Sequence, residues 1–417
     1  MKKYMSKIVI TKLPALKNFI VTAQFDNEKL VQLDCDDTKS QSILNNIYVG
    51  KVKNIVPNIQ AAFIEIKKGF ECYYSFEDNI NPIFVSVKKN NKINIGDELI
   101  VQVSKENMKT KQPVLTSNIT LTGKYVVVSS GNKKIGISNK LGVKDRIRAK
   151  KLLEHLPNRE IGIIARTNVK NATDEQILEE VERLSSKLKE LIQNGLHRTC
   201  YSVLYEAADN YITILKGMYE ESLEQIVTDD DGIYQKVSEF LKENQMEPEQ
   251  YLVKYQDDLL PLYKLKNLES EIRHALQERV WLKSGAYLVI QPTEAFTVID
   301  VNTGKFTGKK QLQETFSKIN LEAAKEIARQ LRIRNISGIV VVDFIDMENS
   351  GDKNRLLQEF EGIVKKDPVT THVVGMSKLN LVELTRKKVR KSLREQVAKP
   401  CYHCKGSGYI YERGEIN

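Results

Sequence analysis

Residues 293–347 constrain the fold more than any other stretch, because they pass from a strand period to a helix period and back. Ala295-Phe296-Thr297-Val298-Ile299 is a β-branched and aromatic run ending at Asp300, and Ile339-Val340-Val341-Val342 is a second ending at Asp343. Between them Leu312, Phe316, Ile319, Ala323, Ile327 and Leu331 recur at helical spacing, with Glu322, Lys325, Arg329 and Arg332 off that face. A strand-helix-strand unit can pair its strands side by side. Both aspartates then lie where the strands leave the sheet, close enough to share one divalent cation. A hard cation such as Mg²⁺ takes carboxylate oxygens and keeps several waters, so two aspartates with room for a phosphate suit phosphodiester hydrolysis. The competing reading is that each aspartate caps a helix or hydrogen-bonds a turn.

The neighbouring residues bear on that choice. Asn302 lies two residues after Asp300 and can hold a carboxylate or water in place, while Lys305, Lys309 and Lys310 follow in a loop with Gly304 and Gly308. The loop favours anions but lacks the G-x-x-x-x-G-K-[ST] spacing, which argues against a nucleotide triphosphatase.

A length of 417 residues with 41% hydrophobic content buries several small cores, so a multi-subdomain protein is expected. Lys plus Arg number 64 against 54 acids, a net charge of +10 that favours a polyanionic partner. Lys2, Lys3 and Lys7 precede an apolar run, Ile8-Val9-Ile10, too short for a signal peptide, and no stretch approaches a membrane span. A cytoplasmic location is expected. Cys35, Cys72 and Cys200 are isolated and suggest no disulfide framework.

Residues 1–40 read as short alternating strands. From Asn46 to about Leu121 the strands become closely spaced, the texture of a five-strand OB-type barrel. Phe63, Tyr73 and Tyr74 beside Lys51, Lys53 and Lys111 would offer stacking faces with cations for a single strand; alternatively the rings are core. A strand is expected over 123–128, and Thr173-Asp174-Glu175-Gln176 is a capping box opening a helix that stops near Gly195. Arg166-Thr167, after the apolar run 161–164, sets a guanidinium fork beside a hydroxyl, which suits a terminal phosphate, although such an arginine is ordinarily a solvated charge. Asp229-Asp230-Asp231 reads as a solvated turn before Gly232 rather than a metal cluster. Glu271, Arg273, Glu278 and Arg279 are expected on one helix leading to Trp281 and a hairpin from Tyr287. A basic helix is expected from Leu381 through Lys387, Lys388, Arg390, Lys391 and Arg394. Cys401-Tyr402-His403-Cys404 aims two thiolates at one point, half of a tetrahedral zinc site, with no second C-x-x-C in the chain. Two protomers would complete a Cys₄ site on a two-fold axis; a third ligand such as His403, or a free dithiol, are the alternatives.

Three runs carry a specific resemblance: Asp300-Val301-Asn302-Thr303-Gly304, the helix Asn320-Leu321-Glu322-Ala323-Ala324-Lys325-Glu326-Ile327-Ala328-Arg329-Gln330-Leu331-Arg332, and Asp343-Phe344-Ile345-Asp346-Met347. Together they look like the catalytic core of the bacterial ribonuclease E/G family. The likeness extends over almost the whole chain and is strongest at 293–347 and 400–408. It implies an α+β multi-subdomain fold: an RNase H-like structural subdomain (1–40 and 209–275), an OB-fold RNA-binding barrel (41–121), a 5′-sensor (122–208), a DNase I-like catalytic subdomain (276–397) and a zinc-link (398–417).

The resemblance also implies roles. Asp300 and Asp343 match the Mg²⁺ ligands, and Asn302 the residue that supports them. Phe63, Tyr73 and Lys111 match contacts to a base just downstream of the cut. Gly123, Val127, Arg166 and Thr167 match the pocket that senses a 5′-monophosphate, to which Lys378 contributes where the family has arginine. Lysine keeps the charge and loses bidentate geometry, so a weaker 5′-end preference is expected. Tyr73 keeps a ring where the family often has phenylalanine, while Met108-Lys109-Thr110 departs from the usual loop. Cys401 and Cys404 match the zinc ligands shared between protomers. Family members continue into a small domain that pairs dimers into tetramers; with the sequence ending at Asn417, a homodimer is expected.

The expected activity is therefore Mg²⁺-dependent endonucleolytic hydrolysis of single-stranded, A/U-rich RNA, including rRNA precursors and mRNA, leaving 5′-phosphate products. A non-catalytic RNA-binding protein and a DNA nuclease are the rival readings.

Overall fold

The computed structural model describes residues 6–16, 19–39, 42–88, 90–106, 112–131, 133–156, 160–217, 223–304, 312–399, 401–404 and 408. The chain divides into two compact units, Gln41–Tyr219 and the discontinuous Met1–Ser40 with Glu220–Asn417.

The discontinuous unit contains the 293–347 stretch. Its strands β1 (Arg279–Trp281), β2 (Tyr287–Pro292), β3 (Phe296–Asn302), β4 (Gly338–Asp343), β5 (Thr371–Met376) and β6 (Leu381–Arg386) form one sheet in the order β1-β2-β3-β4-β6-β5. β3 and β4 run parallel and the other neighbours antiparallel. The parallel pair needs a crossover, supplied by helix α1 (Leu312–Ile333), and α2 (Ser350–Val364) follows β4. Ile319, Ala323, Ile327 and Leu331 of α1, with Leu356 and Phe360 of α2, pack on Leu288, Ile290, Ile299, Val340, Val342, Val382 and Leu384. Strand residues alternate faces, so the helices cover one face. The opposite face carries Val289, Val298, Asp300, Asn302, Val341, Asp343 and Glu383, all half-buried or exposed.

Two helical expectations fail in this unit. The stretch from Leu381 is strand β6, in which Val382, Leu384 and Arg386 are buried while Glu383 and Thr385 are exposed. Two apolar side chains and a paired arginine at period two outweighed the basic composition, and Arg386 is not solvated: its Nε donates to Asp367 Oδ2 at 2.7 Å and its Nη1 to Asn335 Oδ1 and Ile336 O at 3.0 Å. The helix found beyond it is the short Leu393–Val397, closed by a Ser392–Glu395 capping box. Arg279 is also off its expected helix, which spans Leu268–Leu276 and ends before Glu278.

The same unit holds a five-stranded sheet. Ser6–Lys12, Phe19–Asp26 and Lys29–Asp37 form an antiparallel meander, and Leu223–Thr228 and then Leu252–Lys254 add in parallel beyond Ser6–Lys12. The aspartate run serves its local structure: Asp230 caps helix Asp231–Glu243 by accepting from Ile233 N at 2.9 Å, and Asp229 accepts from Thr11 Oγ1 at 2.9 Å.

In the Gln41–Tyr219 unit, Ile47–Val56, Ala61–Lys67, Phe70–Ser75, Val114–Thr116 and Glu98–Lys105 close into a five-strand OB-like barrel, the first pairing with the last. Gly50 lets two walls approach, since a Cβ there would lie 2.6 Å from Ile64 Cγ2. The unit also holds a four-stranded sheet (Thr120–Thr122, Val126–Ser129, Gly162–Ala165, Ile135–Ile137) and the helices Val143–Glu154, Asp174–Gly195 and Asn210–Gly217, the second with the Thr173 capping box in place. Among the described residues no helix is long and apolar enough to cross a membrane.

Candidate active site and nucleic-acid interface

The parallel register of β3 and β4 pairs Phe296 with Ile339, Val298 with Val341 and Asp300 with Asp343. Both carboxylates thus project from the open face on adjacent strands. Asn302, the next residue on that face, donates from Nδ2 to Asp300 Oδ2 at 2.6 Å. Asp343 is exposed, and neither it nor Asp346 caps the helix that follows: α2 is capped by Asn349, which accepts from Gly351 N at 2.7 Å. Partial burial raises the Asp343 pKa above the ordinary aspartate value, and the charges of Asp300 and Asp346 add to the effect. Two neighbouring acids that no ion pair among the described residues offsets would be a donor set for a hard cation.

Among the described residues no three His, Cys, Asp or Glu side chains converge as a metal cluster. Two carboxylates would suit a cation that fills its remaining positions with water and phosphate oxygens, as Mg²⁺ does. Lys305, Lys309 and Lys310 lie outside the described residues. The turn before them needs glycine: Gly304 has φ +66°, and a Cβ would lie 2.3 Å from Gly285 O.

Asn320, which carries no role by its place in the sequence alone, bears on the site through the backbone. Fully buried on α1, it donates from Nδ2 to Ile345 O at 2.8 Å and accepts from Ile345 N at 3.1 Å. It thereby fixes the chain just beyond Asp343, and its signal was an amide among the apolar residues of the helix face.

In the barrel, Phe63 and Tyr73 are cross-strand partners with ring centroids 6.2 Å apart, edge to face, and both are half-buried. Both rings are partly open to solvent, whereas Tyr74 offers no stacking face. That ring is fully buried in the barrel core, with its hydroxyl 2.9 Å from Ser117 Oγ, because Tyr74 follows Tyr73 on a strand and must face inward. Lys111 lies outside the described residues.

Gly123, Val127, Arg166 and Thr167 come together in the same unit. Arg166 Nη1 donates to Gly123 O and, at 3.1 Å, to Lys216 O; its backbone N donates to Tyr125 O at 2.8 Å. Val127 pairs with Ile164, two residues before Arg166, and Thr167 Oγ1 lies 3.1 Å from Ser138 Oγ. Glu180, buried, draws the loop tight by accepting from the backbone N–H groups of Lys124, Tyr125 and Val126 at 2.7–2.9 Å. A Cβ on Gly123 would lie 2.4 Å from the Glu180 carboxyl carbon, so this close approach requires glycine. The expected strand begins only at Val126, since residues 123–125 form this loop. Lys378 belongs to the other unit, in the turn between β5 and β6.

Cys401 is exposed and Cys404 half-buried at the two ends of a turn, neither in a disulfide. One chain offers two thiols there, which fits half of a tetrahedral site.

A profile of the ribonuclease E/G family matches residues 120–389. Ribonuclease G of Haemophilus influenzae is 34% identical over 384 residues, covering 89% of this chain and 77% of that protein. Ribonuclease G of Escherichia coli K12 is 32% identical over 405 residues, covering 93% of this chain and 81% of its own length. Ribonuclease E of a Nostoc species is 33% identical over 398 residues, covering 93% of this chain and 57% of that protein.

Proposed function

The chain belongs to the ribonuclease E/G family, and from that premise we propose that it is an Mg²⁺-dependent endoribonuclease that hydrolyses single-stranded, A/U-rich RNA and leaves a 5′-phosphate on the downstream product. Family membership supplies the endonuclease chemistry, a phosphodiester hydrolase acting in RNA processing. The observation that carries the metal reading is the register of Asp300 with Asp343 on an open sheet face. Mg²⁺ bound there would polarise the scissile phosphate and acidify an attacking water. The chain's own residues do the positioning. Asn302 holds one Asp300 oxygen so that the other is presented, Asn320 anchors the backbone after Asp343, and the uncovered face admits a strand of RNA.

The remaining roles follow the same reading. The barrel pair Phe63 and Tyr73, with Lys111, grips a base downstream of the cut. Arg166 and Thr167, with backbone from Gly123 and Val127, recognise a 5′-monophosphate. Cys401 and Cys404 join two protomers through one Zn²⁺ in a homodimer. The five-stranded sheet, an antiparallel meander extended by two parallel strands, is read as the RNase H-like subdomain, and the six-stranded sheet as the DNase I-like catalytic subdomain. We place the boundaries at 1–40 with 209–275, 41–121, 122–208, 276–397 and 398–417. The substrates are rRNA precursors and mRNA, which places its work in the cytoplasm.

The test is the chemistry of the product ends. A 5′-monophosphorylated A/U-rich oligoribonucleotide incubated with the protein and Mg²⁺ gives internal cuts whose downstream fragments carry 5′-phosphate by mass spectrometry. Fragments with 5′-hydroxyl ends, or cutting that persists in chelator, contradict the reading. Tight binding with no cut under any divalent cation favours a non-catalytic RNA-binding protein.

A further inference from the structure

The face that carries the two aspartates has an aromatic end. Trp281, Tyr287 and Asn302 are successive register partners across β1, β2 and β3, and Arg279, Val289 and Asp300 form the next row. Partners across a ladder point the same way, so these side chains share the open face with the carboxylates. The rings of Trp281 and Tyr287 are 5.1 Å apart at 57°. Arg279 Cζ lies 4.5 Å from the Tyr287 ring and 5.9 Å from that of Trp281. The indole is 63% exposed. It contributes little to the core, which Leu288, Ile290 and Ile299 build on the other side of the sheet.

We propose that Trp281, Tyr287 and Arg279 form a base-stacking subsite that holds one nucleobase of the RNA beside the scissile phosphate. The proposal rests on reading Asp300 and Asp343 as the hydrolytic site. Three observations select a nucleotide as the occupant. The subsite lies two strand spacings from Asp300, roughly 10 Å, within reach of a nucleotide neighbouring the one being cut. A ring face beside a guanidinium meets both halves of a nucleotide, since the base stacks and the cation faces a phosphate. The aspartates at the other end of the row disfavour an apolar partner, whereas a cation bound there would attract the RNA backbone. Arg279, already stacked on the rings, is preorganised for this role.

Trp281 is the only tryptophan in the chain, so its emission reports directly on the subsite. The full chain carrying Asp300→Asn, which on this reading binds without cutting, is titrated with a 5′-monophosphorylated oligoribonucleotide bearing a distant dye. Tryptophan emission and dye anisotropy are followed together. Emission is expected to quench and saturate with the anisotropy. In a series of oligonucleotides each lacking one base near the cut, one member binds without quenching. In the otherwise intact enzyme Trp281→Ala raises KM about tenfold, the loss of one stack, and Trp281→Phe recovers most of it. The penalty for the abasic substrate is expected to disappear in Trp281→Ala. RNA that binds and is cut while emission stays unchanged, or a Trp281→Ala enzyme that keeps the abasic penalty, overturns the subsite alone. Absence of both anisotropy change and cleavage overturns the ribonuclease reading and the subsite with it.

Discussion

Asp300 and Asp343 are register partners across the one parallel strand pair in the described six-stranded sheet. Their proximity is therefore set by backbone pairing, and each charge bears on the other. Asp343 titrates above the ordinary aspartate value because of partial burial first, then Asp300, then Asp346. Removing one like charge lowers the pKa of its neighbour, so Asp300→Asn shifts the Asp343 carboxyl resonance to titrate at lower pH by carbon-detected NMR. The sign for stability follows. A raised pKa means that the metal-free fold loses stability as pH rises through the Asp343 titration, and Mg²⁺ restores it. Melting temperature above that pH rises with Mg²⁺ in the intact protein and much less in Asp300→Asn. A titration of Asp343 indifferent to residue 300 contradicts this.

Asn302 acts through Asp300 and touches no other described site group by hydrogen bond. Groups that orient a metal ligand contribute about 10–100-fold in metal affinity or activity. Asn302→Ala raises the Mg²⁺ concentration for half-maximal cleavage within that range, with kcat at saturating Mg²⁺ less affected. An unchanged Mg²⁺ dependence removes Asn302 from the site.

Arg386 and Asp367 form a buried pair, 3% and 5% exposed, that ties β6 to the turn after α2. Removing one member leaves an uncompensated charge and costs about 3–5 kcal/mol. Urea unfolding of Arg386→Met shows that loss, and the second change Asp367→Leu returns a large part of it. Equal instability in the single and double variants contradicts a charge-pair origin.

The C-x-x-C turn offers two thiols per chain. If two protomers share one zinc, elemental analysis is expected to give about half a zinc per chain, and Cys401→Ser is expected to remove both the zinc and the dimer in light scattering. A full zinc per monomer points instead to further ligands within one chain, such as His403.

Much of this was legible because period and punctuation agreed. The β3-α1-β4 unit, the Thr173 capping box and the barrel strands all announce themselves through alternation or caps. What misled was composition set against period. The lysines and arginines after Leu381 suggested a solvated helix, yet Val382, Leu384 and Arg386 alternate inward and a buried aspartate waits for the arginine. Tyr74 is indistinguishable from Phe63 and Tyr73 in the sequence because an aromatic shows its face only once the strand phase is fixed. Trp281 and Arg279 passed without a role because β1 has three residues, too few to display a period, and its partners become visible only when the sheet is assembled.

If Asp300 and Asp343 together hold the cation that makes this chain a nuclease, replacing both abolishes cleavage. The direct measurement compares cleavage of a single-stranded A/U-rich oligoribonucleotide by the intact protein and by the Asp300→Asn, Asp343→Asn variant, with and without Mg²⁺, while filter binding reports RNA affinity. Cuts are expected to require Mg²⁺ and to fall at least about a thousandfold in the variant, with binding retained. Cleavage that survives in the variant, or that proceeds equally in chelator, contradicts that role for the two aspartates.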